Sequence, residues 1–377
     1  DISVTARNSS GMIPSGYEAA YAQFRVNDSS RKEREQVNGN NTAVTESSDS
    51  WLIKGDNFSF SISKNSGTIQ NYQYNGKTII ERGPSANFWR GLTENDNAGK
   101  TYDRNWQKAD GNVKVTDIKI TENSLSQKVI TVSSVFPDAG NTVQNTVYTV
   151  NGNGEIKVSV SVDATKSGMG NFLRIGTAMT LPEGFEDVSW YGNGPVETFN
   201  DRKTNGRKGV WNSTVSDMFF PYMKTDDSGN LTDVRWISVK NKSAGTELLI
   251  EASGTVEAQA LHFTPDDINS TSHVFELTPR KETILGINYG SMGTGTATCG
   301  PATLGKYQLP SDKVYSWEYT IVPSASETEE NSSILPGDLN DDKKVDITDL
   351  SIMALSLVGD RELEGDSLKA ADVDKDG

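Results

Sequence analysis

From Trp51 onward apolar and polar residues alternate with a period of two. Phe58-Ser-Phe60-Ser-Ile62 alternates cleanly, Ile156-Lys-Val158-Ser-Val160-Ser-Val162 repeats the pattern, and Trp317-Glu-Tyr319-Thr-Ile321-Val322 continues it. Between such runs stand Asn65-Ser-Gly67, Asn75-Gly76, Asn151-Gly-Asn-Gly154 and Asp227-Ser-Gly229. Successive strand side chains point to opposite faces, so the alternation gathers apolar groups on one face. Bounded by Asn/Gly turns, it predicts antiparallel hairpins with one wet face. No long segment has the 3.6-residue period of an amphipathic helix. About 270 residues of this pattern predict a mainly β fold, one large antiparallel sandwich or a pair of sheets.

The flanks differ. Tyr17–Val26 partly alternates and reads as a strand, so 1–26 is expected to be the end of a preceding β-sandwich domain. The stretch 27–50 is rich in Asn, Ser and charge and reads as a linker, leaving 51–323 for the large sandwich. A second linker, 324–335, reads SASETEENSSIL and leads to a module at 336–377 of different character.

Composition sharpens this picture. The 377 residues include 34 Gly and are 34% apolar, as a turn-rich β protein of two or three domains would be. The net charge is −15, and Pro336–Gly377 holds 12 Asp and Glu against 5 Lys and Arg. Such a chain is expected to bind neither nucleic acid nor an anionic membrane, and the local acidic excess points to a cation. One cysteine, Cys299, allows no disulfide within the chain, and no apolar run approaches the roughly 20 residues that span a bilayer. The sequence begins at Asp1 without a leader, which is the expectation for a fragment or a processed form.

With Asp338 as position 1, side-chain oxygens recur at Asp338, Asn340, Asp342, Asp346 and Asp349, with the backbone carbonyl of Lys344 at position 7. That is the EF-hand spacing, in which alternate residues of a tight loop turn hard oxygens toward Ca2+. Leu350, Ile352, Met353, Leu355 and Leu357 follow as the apolar stripe of a helix. Asp372, Asp374 and Asp376, then Gly377, repeat positions 1, 3, 5 and 6 of a second loop, 34 residues on. This duplicated loop resembles a type I dockerin, a small α-helical EF-hand-like module. The resemblance implies a cohesin module of a scaffold protein as partner and an extracellular multi-enzyme complex. Two departures stand out: Lys343 occupies the position where Gly eases a left-handed turn, and the second loop ends at Gly377. The plain alternative is an acidic solvated tail.

Four stretches carry a second resemblance: Asn87–Gly99 followed by Trp106, Trp190–Arg202, Phe220-Pro-Tyr222 with Gly229–Trp236, and Gly293–Leu309. Together they resemble the small-chain, or fifth, domain of family 2 β-galactosidases. The resemblance implies a β-supersandwich of the galactose-mutarotase type, within a retaining enzyme that hydrolyses terminal β-D-galactosides. In that family both catalytic Glu residues lie on a (β/α)8 barrel. No βα alternation occurs here, so no catalytic residue is assigned. The implied role is to complete the rim of the sugar pocket: Asn95 and Asp96 through a mobile loop, and Cys299 where other members carry a sugar-stacking Trp. Each has a structural alternative. Asn95 and Asp96 can cap a turn, Cys299 can be a small buried apolar residue, and Glu197, Asp201 and Arg202 read better as a loop-anchoring salt bridge. Trp211 and Trp317 read as core, and His262 and His273 lack the company of a zinc site. A free-standing carbohydrate-binding or scaffold-docking module is the competing functional reading.

Overall fold

The alternation of the sequence becomes a set of meanders. A computed structural model describes residues 1–24, 26, 39–99, 101–296, 303–325, 336–340, 342, 344–364 and 366–372. They divide into two units, 1–325 and 326–377. In the first unit β1 (Ile2–Thr5) pairs with β2 (Glu18–Ala22) as a separate hairpin. A first meander runs through β3 (Ala43–Glu46), β4 (Ser50–Lys54), β5 (Phe58–Ser63), β6 (Ile69–Tyr74) and β7 (Lys77–Ala86). A second runs through β8 (Lys114–Ser124), β9 (Gln127–Phe136), β10 (Thr142–Asn151) and β11 (Ile156–Asp163). The remainder comprises β12 (Arg174–Leu181), β13 (Asp187–Gly194), β14 (Arg207–Thr214), β15 (Leu231–Asn241), β16 (Thr246–Leu261), β17 (Thr283–Ser291) and β18 (Val314–Ala325).

All except the first hairpin join one antiparallel sheet, in the order β3-β4-β5-β6-β7-β12-β17-β16-β18-β11-β10-β9-β8, with β13, β14 and β15 branching from β16. β16 is the pivot: its first half pairs with β18 and its second half with β17. The sheet therefore curls until its two meanders face each other. Tyr148 Oη on β10 donates to the carbonyl of Gly67, in the turn between β5 and β6, at 3.1 Å. Gly67 has φ +68°, and a Cβ there would lie 2.3 Å from Val132 Cγ1 on β9, so only glycine fits. Between the layers lie Phe60, Ile62, Ile130, Val158 and Tyr319, each at most 1% exposed. At one end Phe88 meets the rings of Phe136, Phe172 and Trp106, and Trp106 stacks on Phe172 at 3.7 Å. Each such side chain contributes about 1.5–3 kcal/mol on burial.

Boundaries differ in places from the sequence reading. Ala43–Glu46 is a strand inside the stretch 27–50 that has linker composition, because it finds a partner in β4. β18 continues to Ala325, past 323, through pairing with β16. The strand expected over Tyr17–Val26 is confined to Glu18–Ala22. Its hairpin is attached to the β14 region: the Arg207 guanidinium lies 3.6 Å over the Tyr21 ring and pairs with Glu18. Among the described residues no helix is long and apolar enough to cross a membrane.

In the second unit Asp346 caps the helix Ile347–Leu357, accepting from Thr348 N at 2.7 Å, while Asp349 returns the bond by accepting from Asp346 N at 2.9 Å. Of the expected apolar stripe Ile352 is buried and Met353 half-buried, while Leu350, Leu355 and Leu357 are exposed. Among the described residues of this unit, Leu339, Ile352 and Ala370 are the buried apolar ones. A second helix, Asp366–Ala371, is tied to the start of the loop by Gly337 N donating to Ala370 O at 2.8 Å.

Ile287 on β17 is fully buried. Ile287→Ala is expected to destabilise the first unit by about 2–5 kcal/mol, read as a lower urea midpoint.

Candidate functional site

The four separated stretches come together at one end of the sandwich. Arg90 and Asp96 form a buried bidentate pair, Nη1 to Oδ2 at 2.7 Å and Nη2 to Oδ1 at 3.1 Å. Asp96 also accepts from Thr93 N at 2.8 Å and Thr93 Oγ1 at 2.9 Å. It therefore anchors the start of the short helix Glu94–Gly99 from inside, and is only 4% exposed. Its neighbour Asn95 reaches the other way, and its Nδ2 donates to Thr294 O at 2.6 Å. Asp201 grips the same segment, accepting from the N–H groups of Thr294, Gly295 and Thr296 at 2.9, 2.6 and 3.2 Å. The approach requires Gly293, where a Cβ would meet Asp201 Cγ at 2.7 Å. Residues 293–296 lead toward Cys299, which lies outside the described residues.

Glu197 joins the second and third stretches. It pairs with Arg202, accepts from Tyr222 Oη, and accepts from Gly229 N at 2.8 Å. Thus the Glu197, Asp201 and Arg202 trio is a set of loop anchors. His262 is held apart from His273, with Nε2 against Glu186 at 2.7 Å. Trp317 is buried and Trp211 partly buried, and Trp211 donates to Arg207 O at 3.1 Å.

Behind these loops lies a network that sequence reasoning missed. Arg174 on β12 is 1% exposed, and all three of its guanidinium nitrogens are used. Nε donates to Ser291 at 3.2 Å, Nη1 to Gln259 at 2.9 Å, and Nη2 to Asp227 at 3.1 Å. Gln259 Nε2 closes the ring on Asp227 at 3.2 Å and Ser228 O at 2.6 Å. Burial pushes the Asp227 carboxyl up, against the pull of Arg174 and Arg90. Beside it Glu257 accepts from Asn230 Nδ2 at 3.1 Å, and burial pushes its carboxyl up to about 7. Nothing in the sequence signals it: Val256-Glu-Ala-Gln-Ala260 alternates like a strand with one wet face, yet the fold buries Glu257 and Gln259 along with their apolar neighbours.

The acidic loop belongs to the second unit and is described by itself. Asp342 N donates to Asp338 Oδ1 at 3.2 Å and to Asn340 Oδ1 at 3.0 Å, and Lys344 N donates to Asp342 Oδ1 at 3.0 Å. The chain thus winds about its first carboxylate. Asp349 is buried at 2% exposure, accepting from Leu339 N at 2.8 Å and Asp346 N at 2.9 Å. The Asp346 N–H, followed by that of Leu339, holds the Asp349 carboxyl below its ordinary range. Among the described residues no three His, Cys, Asp or Glu side chains converge on one point. The side-chain oxygens that follow one another along this loop are nevertheless all hard, the kind that calcium takes. Asp372 is described; Asp374 and Asp376 lie outside the described residues, as does Lys343.

Residues 54–321 match the family model for the beta galactosidase small chain. The chain belongs to that family. Residues 336–377 match the type I dockerin domain, so a small-chain sandwich is followed here by a dockerin. A β-galactosidase of Priestia megaterium is 28% identical over 311 residues, which are 82% of this chain and 30% of that protein. One of Streptococcus thermophilus is 27% identical over 326 residues, 86% of this chain and 31% of that protein. The small-chain protein thus spans about a third of the length of the curated relatives it matches. Among solved structures it is similar to a galactose mutarotase related enzyme of Lactobacillus acidophilus, with 10% identity, a TM-score of 0.42, and coverage of 74% of this chain and 98% of that one.

Asp227→Ala leaves Arg174 buried without its counter-charge, and is expected to destabilise the sandwich by about 3–5 kcal/mol in urea unfolding. A pH effect follows from Glu257. The folded protein keeps this proton up to about 7, whereas an unfolded glutamate releases it near 4.5. The stability it contributes is full below about 4.5 and is lost as the pH rises to about 7. Glu257→Gln should flatten that part of the profile in urea midpoints taken across the window. Asp226, which burial pushes up to about 6, slopes the same way and remains in the variant.

Proposed function

We propose that this chain is the C-terminal, non-catalytic part of a secreted family 2 β-galactosidase that hydrolyses terminal β-D-galactosides. Its sandwich completes the rim of the sugar pocket through Asn95, Asp96 and the segment that carries Cys299. The observation that carries this reading is the clamp of Asn95 and Asp201 on residues 293–296, which fixes the chain leading to Cys299 from both sides. Retaining glycosidases need two carboxylates about 5–5.5 Å apart, one of them free to attack. Asp96, Asp201 and Glu197 are instead committed to Arg90, to loop amides and to Arg202. The hydrolytic pair is assigned to the further length that the relatives possess.

The dockerin serves attachment. Calcium would be held by Asp338, Asn340, Asp342, Asp346 and Asp349 with the Lys344 carbonyl, and in the second loop by Asp372, Asp374 and Asp376. When bound it supplies the positive charge that offsets the loop carboxylates. The exposed Leu350, Leu355 and Leu357 then offer a cohesin module an apolar face, joining the enzyme to an extracellular scaffold.

Purified chain should not turn over a chromogenic β-galactoside; turnover abolished by replacing one of its own carboxylates would overturn the rim assignment. In calorimetry calcium should bind the chain, and Asp338→Ala should abolish binding to the first loop and reduce calcium-dependent capture of a purified type I cohesin. An unchanged isotherm would reject the loop as the site.

A further inference from the structure

The two facing meanders do not close along their whole length. Where β6, β7 and β12 face β9 and β10 they stand apart, leaving a cleft of about 610 Å3, within the range of small-molecule sites. Inward positions of a sandwich are ordinarily apolar, and on β10 Tyr148 and Val150 obey. Thr142, Gln144 and Thr146 point the same way and are just as buried, as is Ser134, the register partner of Gln144 on β9. Gln70, Arg82 and Asn87 line the opposite wall. An apolar strand face has become polar where the cleft begins.

That polarity is not self-satisfied. Gln144 Nε2 donates to Thr146 Oγ1 at 3.2 Å, but Gln144 Oε1 has no hydrogen-bond partner. Trp89, which lines the same cleft, has an indole Nε1–H without a partner. A buried polar atom left unmet costs about 1–3 kcal/mol, so one orphaned acceptor and one orphaned donor on one cleft call for a ligand offering both. Charge narrows its class. At the rim Arg280 is paired with Asp267, Nη2 to Oδ1 at 2.8 Å, and Asp266 accepts from Gln107 at 3.1 Å. Arg82 Nε donates to Thr180 Oγ1 at 3.2 Å. Amide, hydroxyl and indole groups beside the aromatic walls of Trp106 and Phe136 suit a neutral ring bearing many hydroxyls.

We infer that this inter-sheet cleft is a saccharide-binding site built wholly from this chain, with Gln144 Oε1 accepting from a sugar hydroxyl and Trp89 Nε1 donating to a sugar oxygen. The terminal torsion of a glutamine is broad, so the carbonyl turns to meet an entering hydroxyl at small cost. The site depends neither on hydrolysis nor on calcium.

The test is titration of the full 377-residue chain with lactose and, separately, cellobiose, followed by calorimetry and saturation-transfer NMR. Saturable binding of at least one disaccharide is expected. Gln144→Leu and Trp89→Phe should each weaken it about tenfold, the loss of one net hydrogen bond. Gln144→Leu should meanwhile leave the thermal midpoint equal or higher, because it removes an unmet acceptor. If that variant fails to fold, Trp89→Phe, which keeps a ring in place, decides alone. Absence of saturation by either sugar up to millimolar concentrations, or binding indifferent to the substitutions that fold, would overturn the proposal.

Discussion

Two guanidinium groups, Arg90 and Arg174, are buried inside the sandwich, and the cost of stripping water from them governs how the surrounding segments are arranged. Each needs a carboxylate within hydrogen-bond reach and further acceptors for its remaining N–H groups. Arg90 draws in Asp96 and with it the helix Glu94–Gly99; Arg174 draws in Asp227, Gln259 and Ser291 from three more parts of the chain. Loops that would otherwise wander are held by charge, and Asn95 and Asp201 inherit fixed positions from which to grip residues 293–296.

The two units use the same residue types in opposite ways. In the sandwich, buried carboxylates meet cations or amides, and Glu257, whose burial outweighs the pull of Arg174 and Lys203, holds its proton toward neutral pH. In the dockerin, the loop carboxylates of Asp338, Asp342 and Asp349 are met by backbone N–H groups. The first arrangement draws its counter-charges from within the protein. The second is the electrostatics of a loop suited to a cation brought from outside.

Much of this was legible in the sequence. Period two with Asn/Gly turns gave the strands, because that period is imposed by the pleat itself. The EF-hand spacing gave the acidic loop, because ligands on a short loop must follow one another in order. Local pattern misjudged Ala43–Glu46, a strand only because β4 lies beside it, and it missed the helix Asp366–Ala371, too short for a 3.6-residue period to register.

What the sequence by itself determined was therefore local: strand content, turns, the spacing of the oxygens along the acidic loop, and the four stretches that mark the small chain. Tertiary structure decided which distant groups meet. Arg174 and Asp227 are 53 positions apart, and Asn95 and Thr294 are 199. No periodicity encodes such pairings, since they arise only when the sheet curls and desolvated charge must find a partner. The polar inter-sheet cleft is of the same kind: Gln144 and Trp89 border one space only after two meanders fold face to face.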